Sequence, residues 1–305
     1  MTDRRLHLLP YDYLVIGYCL FMTLLILAVG RPLGNYTYEI IFYSSMAAVA
    51  ALVIRYVGEA PTGWRRFIRL LYPALMFTFF YRATSGTMFL LFDRFFDSSL
   101  VSFEYSVLGF EPSLVIDRSY LSPFLNELFS AGYFAYYLMI PALLVYLYLK
   151  RKDELIRRFL TAACIAFFVS YFLFFLYPIE GPRYYLAGQY LHPIEGPFFR
   201  KLVNIAIDRG AVHGGCMPSS HVAVGLIVLA YTFKISRKIG WLLVPVVIGL
   251  AIGTVWGRFH YASDVVVGAL IGVGAIILVD RRYDRWIKRR PNPVAYHSLG
   301  VEHVS

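Results

Sequence analysis

The sequence predicts an all-α, polytopic integral membrane bundle of about eight transmembrane helices, with an added amphipathic interfacial helix. Of the 305 residues, 59% are hydrophobic and only 16% are charged, and the mean hydropathy is +0.60. This composition leaves too little polar surface to cover a water-soluble globule. Backbone polar groups must be paired in hydrocarbon, and the alternating pattern of barrel strands is missing, so the spans are expected to be helices.

The apolar runs of spanning length set the order of the elements. They lie at about 12–30, 38–57, 67–92, 128–149, 157–177, 217–236, 240–257 and 261–280. Each run is long enough to cross a bilayer as a helix. The first run lacks a clear small-residue cleavage site, so we treat it as a span and not as a signal peptide. We divide the chain into amino-terminal helices with an interfacial segment (1–127), a core that carries the motifs (128–280) and a basic cytoplasmic tail (281–305).

Basic residues predict the orientation of the helices. Lys and Arg in short loops stay on the cytoplasmic side. In this chain they cluster in alternate connections, namely Arg4 and Arg5, the stretch from 55 to 69, the stretch from 150 to 158, the stretch from 234 to 238, and the tail from 281 to 290. The segments 31–37, 93–127, 178–216 and 257–262 are therefore expected outside. The lack of a long glycosylated loop or an organelle signal favours a bacterial inner membrane, with these segments in the periplasm, whereas in a eukaryotic internal membrane they would face the lumen.

The net charge of +10 is consistent with membrane contact. Its largest block directly follows the last apolar run, where basic side chains meet anionic headgroups. No basic domain exists apart from the spans, so we expect the bilayer as a partner and no nucleic acid. The sequence leaves the oligomeric state open.

The outer segment 93–127 combines acids with Phe, Leu and Tyr, as an amphipathic interfacial helix would. The acids are Asp93, Asp97, Glu104, Glu111, Asp117 and Glu127. Two interpretations stay open for this helix. It covers a site as a lid, or it packs at headgroup level as a surface helix.

A first polar cluster, residues 214–221, lies at the outer start of the sixth apolar run and ends in Ser219, Ser220 and His221. Pro218 suits a helix start, and two hydroxyls in the first turn can cap the helix. A helix N-terminus presents free N–H groups and a positive dipole end to an anion. His221 is therefore expected beside a phosphate-binding position formed by Ser219 and Ser220.

A second cluster, residues 257–264, lies at the outer start of the eighth run. His260 and Asp264 are four residues apart, so on a helix they share a face and the carboxylate can fix the tautomer of the ring. The other ring nitrogen is then free to attack. Arg258 has two open interpretations, a phosphate clamp or an arginine that faces headgroups, because positions two apart on a helix point apart.

Between the fifth and sixth runs, Arg183 stands alone among Pro and aromatic residues. A guanidinium holds phosphate oxygens through two parallel hydrogen bonds, which an ammonium cannot do. Arg183 is therefore our first candidate for a phosphate clamp. Because arginine and a helix N-terminus already suit an anion, we expect no cofactor and no metal. The competing interpretation is a metal site of His221, His260 and Asp264.

Other polar residues have weaker signals. Cys216 adjoins the first cluster, yet nothing marks it as a nucleophile, and the three cysteines give no disulfide framework. Arg82 in the third run either reaches a headgroup or pairs with Asp93. His192 and His213 are expected to be solvated. The tyrosines of the fourth run are expected to form packing or interface surface; they are Tyr133, Tyr136 and Tyr137.

The motifs Pro-Ser-Ser-His at 218–221 and Gly-Arg-Phe-His-Tyr-Ala-Ser-Asp at 257–264 resemble the second and third signatures of the phosphatidic acid phosphatase type 2 superfamily. The resemblance covers about residues 175–275. It implies that His260 is the nucleophile and forms a phosphohistidine, that Asp264 orients it, and that His221 protonates the leaving oxygen. It also implies a lipid phosphate or phospholipid substrate.

The chain departs from the family pattern at several positions. The first motif usually has Lys, six residues, then Arg-Pro, whereas this sequence has Leu176 in place of the Lys and Tyr184 in place of the Pro. Thr254 stands where the third motif usually has an Arg, and Ser220 replaces a Gly. The looser first motif is similar to the branch of inositol phosphorylceramide synthase and sphingomyelin synthase. The resemblance thus leaves a phosphatase and a headgroup phosphotransferase open, with a non-catalytic lipid-binding or transport protein as the alternative.

Overall fold

The computed structural model describes residues 8–29, 36–58 and 62–288, and within them the regular structure is helical. The helices are α1 (Pro10–Ala28), α2 (Thr37–Leu52), α3 (Gly63–Thr87), α4 (Asp97–Leu108), α5 (Pro112–Ser119), α6 (Pro123–Leu149), α7 (Asp153–Leu176), α8 (Pro182–Tyr185), α9 (Phe199–Gly210), α10 (Ser220–Ile235), α11 (Arg237–Trp256) and α12 (Ala262–Lys288). A π-helical turn, Val53–Val57, continues α2, and a 3₁₀ turn, Ala187–Gln189, follows α8.

The all-α polytopic membrane fold is confirmed. Within the described ranges, six helices are long and apolar enough to cross a membrane: α1, α2 with its π-helical turn, α6, α7, α11 and α12. The two other predicted runs are also helical. The helix α3 has 25 residues but carries several arginines, and α10 is apolar but has only 16 residues.

The helix α7 forms the centre of the bundle. In its most apolar stretch of 18 residues, 72% of the residues are buried, which is far more than in the other candidate spans. The helices α1, α3, α10 and α12 pack around it. Its buried face is rich in Phe and Ala, which fill the interior without polar atoms that would need partners.

Close contact between α10 and α12 brings the two sequence clusters together. A Cβ at Gly268 of α12 would lie 2.3 Å from the carbonyl oxygen of Ser219, and a Cβ at Gly272 would lie 2.5 Å from that of Ala223. Only glycine permits this approach, as at small-residue contacts between membrane helices. The backbone N–H of Ser219 donates to the carbonyl of Asp264 at 2.9 Å.

The ends of α7 and α11 and the starts of α10 and α12 meet at one end of the bundle, which we call the site end. The basic stretches 150–158 and 234–238 lie at the opposite ends of the same helices. There, Asp12 of α1 is fully buried and accepts from Arg69 at 2.9 Å and from Tyr72 at 2.6 Å, both on α3. Some basic residues at this end thus also hold helices together.

Part of the predicted basic pattern lies outside the described residues, namely Arg4 and Arg5, the loop 31–35 and the tail beyond 288. The predicted division into 1–127, 128–280 and 281–305 stays a prediction.

The outer segment 93–127 forms two short helices, α4 and α5, followed by the start of α6. Its acids point inward, because Asp97, Glu104, Glu111 and Asp117 are each at most 2% exposed. Apolar side chains such as Phe103 face outward instead. The amphipathic pattern is real, but it places carboxylates against the site-end segments and apolar residues on the outer surface.

Candidate active site

Two histidines face each other at the site end. His221 lies in the first turn of α10, and His260 lies two residues before α12. Their ring centroids are 5.7 Å apart. Both rings line a cavity of about 60 Å³, and Arg183 lines the same cavity. The structure therefore brings together three side chains that the sequence analysis selected from segments far apart in the chain.

The carboxylate of Asp264 holds the ring of His260. Nδ1 of His260 lies 3.3 Å from Oδ2 of Asp264, and Asp264 is fully buried. The same oxygen accepts from the backbone N–H of Tyr261 at 2.8 Å. The expected pairing forms, although His260 precedes the helix and does not lie on it. With Nδ1 directed at the carboxylate, Nε2 is left as the nitrogen available for bond formation.

The turn between α11 and α12 is fixed through Thr254. Its carbonyl accepts from the backbone N–H groups of Phe259 at 2.9 Å and of His260 at 3.1 Å. Thr254, where the family pattern has an arginine, is fully buried in α11. The position therefore contributes its backbone to the site and offers no charge.

Cys216 joins this arrangement, and the sequence contains no signal for its role beyond its proximity to the motif. Its Sγ lies 2.9 Å from Oδ2 of Asp264 and 3.6 Å from Nδ1 of His260. Burial, and then the Asp264 carboxylate, raise the pKa of the Cys216 thiol well above its ordinary value. A protonated thiol serves here as a hydrogen-bond donor to Asp264 and is a poor nucleophile.

In the described part of the chain, these three residues form the group that could best hold a metal ion. The ligand atoms of Cys216, His260 and Asp264 lie within 4.8 Å of one another. This set differs from the competing metal interpretation of the sequence, which contained His221 in place of Cys216. The raised pKa of the thiol opposes metal binding, since a metal requires the thiolate.

Aromatic residues of α6 surround His221. Nε2 of His221 lies 3.3 Å from the hydroxyl of Tyr133, and its ring centroid lies 4.4 Å from that of Tyr136. Nδ1 of His221 is buried and has no partner among the described residues. Tyr133, expected to be packing surface, thus lines the cavity beside His221, and Tyr136 packs against the same histidine ring.

Ser219 and Ser220 lie at the start of α10 as expected, but they are not among the residues that line the cavity. The hydroxyl of Ser219 accepts from the backbone N–H of Val222 at 3.4 Å and so caps the helix. Both serines are buried. The structure thus places both serines at the helix start, and their contact with phosphate stays a prediction.

Arg183 lies on the short helix α8 at the rim of the cavity. Its Nη2 is 3.3 Å from Oδ1 of Asp208, and both side chains are substantially exposed. An exposed ion pair of this kind contributes little free energy. Arg183 can therefore exchange Asp208 for an anion in the cavity.

Arg258 does not line the cavity. Its guanidinium lies 2.6 Å from Oδ1 of Asp117 and 2.7 Å from the carbonyl of His192, and it stacks on the ring of Tyr190 at 3.8 Å. The backbone φ of Arg258 is +63°, so the turn directs the side chain toward α5. Arg258, one of whose predicted roles is a phosphate clamp, thus connects the third motif to α5 and to the loop that contains His192.

His192 and His213, which were expected to be solvated, have side chains that are more than half exposed, and each residue also has a polar partner. His213 Nε2 lies 2.8 Å from a carboxylate oxygen of Glu180, which lines the cavity. The backbone N–H of His192 donates to Asp117 at 3.2 Å. Arg82 donates to the carbonyl of Arg209 at 3.1 Å and not to Asp93.

Two acids of α4 accept hydrogen bonds from the segments that form the site. The sequence analysis named them only as part of the amphipathic segment 93–127. Asp97 accepts from the backbone N–H groups of Glu180 at 2.7 Å and Gly181 at 2.9 Å, and from the hydroxyl of Tyr261 at 2.9 Å. Glu104 accepts from the N–H of Ser263 at 2.6 Å, at the start of α12. These carboxylates join the segment before Arg183 to the segment around His260.

The fold and the site together define a class: an integral membrane protein with paired histidines, a buried carboxylate and an arginine around one small cavity at the bundle end. Comparison with known proteins is consistent with this class. Residues 98–278 match the PAP2 superfamily, which is more than half of the 305 residues. The chain therefore belongs to this superfamily.

Two curated relatives are similar to parts of the chain. A PA-phosphatase related-family protein of Dictyostelium discoideum is 27% identical over 116 residues, which is 37% of this chain and 21% of the relative. The bacitracin transport permease protein BcrC of Bacillus licheniformis is 29% identical over 151 residues, which is 50% of this chain and 67% of the relative. The chain thus spans about a fifth of the first relative. No solved structure matches the chain significantly.

Proposed function

We propose that the protein transfers the phosphoryl group of a lipid phosphate through a phosphohistidine formed on His260. One observation carries the proposal. His260, held at Nδ1 by the buried carboxylate of Asp264, faces His221 across a cavity that Arg183 also lines, in a chain that belongs to the PAP2 superfamily.

In the first step, Nε2 of His260 attacks the phosphorus atom of the bound lipid phosphate. The lone pair of the nitrogen forms the N–P bond, and the electron pair of the broken P–O bond leaves with the lipid oxygen. His221 donates a proton to that oxygen, so the lipid departs as a neutral alcohol. Asp264 stabilises the positive charge that develops on the ring of His260.

In the second step, a hydroxyl group attacks the phosphohistidine. His221 takes the proton of this hydroxyl as the new P–O bond forms and the N–P bond breaks. If the acceptor is water, the product is inorganic phosphate. If it is an alcohol, the product is a phosphate ester, as in the headgroup-exchange branch that the first motif resembles. The proposal includes both acceptors, because the two reactions share one intermediate.

The proposed location of the reaction is the non-cytoplasmic face of the membrane. The site end lies opposite the basic stretches 150–158 and 234–238, and basic connections remain on the cytoplasmic side. In a bacterial inner membrane, the substrate would therefore be drawn from the periplasmic leaflet.

The alternative is a lipid-binding or transport protein that uses the cavity for recognition alone. The Bacillus relative is called a transport permease, and its name is the reason to weigh this alternative. Recognition of an anion requires arginine, but it does not require a histidine braced by a buried carboxylate and facing a second histidine. That arrangement favours the enzyme.

The deciding experiment is product analysis of the detergent-purified protein with EDTA present. A panel of lipid phosphates and phosphodiesters is incubated with and without added alcohols, and the products are identified by mass spectrometry. We expect free phosphate, or a lipid with an exchanged headgroup, from the wild type and neither from His260→Ala. Absence of product from the wild type across the panel, or equal turnover by the variant, would overturn the proposal.

A further inference from the structure

The helix α9 lies beside the cavity. Residues 200, 203 and 207 follow helical spacing and share one face. On this face Val203 is fully buried and Ile207 lines the cavity. Glu127 anchors the start of the helix by accepting from the backbone N–H groups of Phe199 at 2.7 Å and Arg200 at 3.1 Å. Arg200 is therefore held on the face of α9 that turns toward the site.

Among the described residues, the guanidinium of Arg200 forms no ion pair with a carboxylate, and Asp208 attracts it only from a longer distance. Its Cζ lies 5.5 Å from the ring centroid of Phe259, a cavity-lining residue. Its Nε is buried and has no hydrogen-bond partner. The nearest acid of the same helix, Asp208, pairs with Arg183 instead. Leaving a partly buried guanidinium unpaired is costly, so a binding partner is expected.

Neighbouring charges make an anion the fitting partner. Burial, followed by the charges of Arg258 and Arg183, lowers the pKa of Arg200 to about 10. Guanidinium groups placed this close repel one another, and an anion between them relieves the repulsion. Arg258 already has Asp117, whereas Arg183 has only an exposed partner. Arg183 and Arg200 are thus the two cations that can pair with a bound anion.

The cavity is otherwise short of positive charge for a phosphate. Leu176 and Thr254 stand where the family pattern has cations, and Arg258 is turned away. We propose that Arg200 is the second anion-binding guanidinium of the site and contacts the phosphate of the substrate together with Arg183. This inference rests on the proposed function for the identity of the ligand. The choice of Arg200 as the residue rests on the geometry around Phe259.

The test uses inorganic phosphate and orthovanadate as probes. Their dissociation constants for the full-length protein are measured by calorimetry, and the KM for a lipid phosphate is measured alongside. The variants are Arg200→Gln, Arg200→Lys and the control Lys201→Gln, which removes a positive charge from an exposed position of the same helix. We expect Arg200→Gln to weaken anion binding and raise KM about tenfold or more, since charge-assisted hydrogen bonds are strong. Arg200→Lys should recover part of this loss, and Lys201→Gln should change neither constant.

Thermal unfolding separates binding from packing. If Arg200 only packs on Phe259, Arg200→Gln lowers the melting temperature and kcat but leaves the dissociation constant of phosphate unchanged, and the inference is overturned. If the wild type binds phosphate through Arg200 but turns over no lipid phosphate, the proposed function fails and the inference stands. If the wild type neither binds nor turns over, both fail.

Discussion

The guanidinium of Arg258 lies 2.6 Å from the carboxylate of Asp117, so the arginine nearest to His260 in sequence is bound to α5 and not to the cavity. Asp117 is fully buried and the Arg258 side chain is 14% exposed. Their ion pair connects the third motif to the outer helices. In this arrangement the charge of Arg258 helps to hold the turn that carries His260.

Arg258→Gln is accordingly expected to reduce stability more than substrate binding. Removing one partner of a buried ion pair leaves the other charge unpaired and costs about 3–5 kcal/mol. Melting in detergent should show the loss, while the KM for a lipid phosphate stays within about twofold. The double variant Arg258→Gln with Asp117→Asn should recover part of the stability. A large rise in KM with unchanged melting would instead identify Arg258 as a clamp.

The two histidines should have separable effects on the intermediate. His260→Ala should abolish turnover and prevent labelling of the protein by a lipid carrying radioactive phosphate, because no nitrogen remains to form the N–P bond. His221→Ala should slow both steps but retain an acid-labile label, since the nucleophile is intact. The amount of radioactive phosphate bound to each purified variant is measured after the reaction is quenched. Label on the His260→Ala protein would contradict the assignment.

Cys216 should act as a neutral donor. Its buried thiol has a pKa raised well above the ordinary value, so it stays protonated from neutral pH to at least pH 9. Maleimide should therefore not inactivate the folded protein in this range. Cys216→Ala removes a donor to Asp264 and should lower kcat about tenfold, as expected for a hydrogen bond to a charged group. Cys216→Ser should be milder, because its hydroxyl can donate. Rapid inactivation by maleimide at pH 7 would refute this role.

Glu104 should make stability depend on pH. Burial raises its pKa above the ordinary value of 4.5, so the folded state favours the protonated form. Stability from this group is complete below pH 4.5 and falls as pH rises toward the folded pKa. Glu104→Gln retains an oxygen acceptor for Ser263 but cannot ionise. Its melting temperature should therefore rise relative to that of the wild type as the pH increases above 4.5. If the melting temperatures of the wild type and Glu104→Gln change in parallel as the pH increases above 4.5, Glu104 does not titrate there.

The fold class and the pairing of His260 with Asp264 could be predicted because they depend on local pattern, whereas the approach of His221 to His260 depends on the packing of α10 against α12. The length of an apolar run decides whether a helix can cross the bilayer, and this is independent of the neighbouring helices. His260 and Asp264 are separated by three residues, and His221 lies in the first turn of a helix that Ser219 caps. Such short-range relations are set by chain geometry, so the predicted arrangement could be recognised without the tertiary structure.

The sequence by itself thus determined the helical membrane bundle and offered candidate residues for the chemistry, whereas the tertiary structure decided which of these side chains line the cavity. Asp97 lies more than 80 positions from the backbone groups it holds, and Tyr133 lies 88 positions from His221. Arg258 turns away from the cavity and Arg200 lies beside it. Such contacts depend on how helices rotate and pack against one another, and the spacing of residues within one segment carries no information about that rotation.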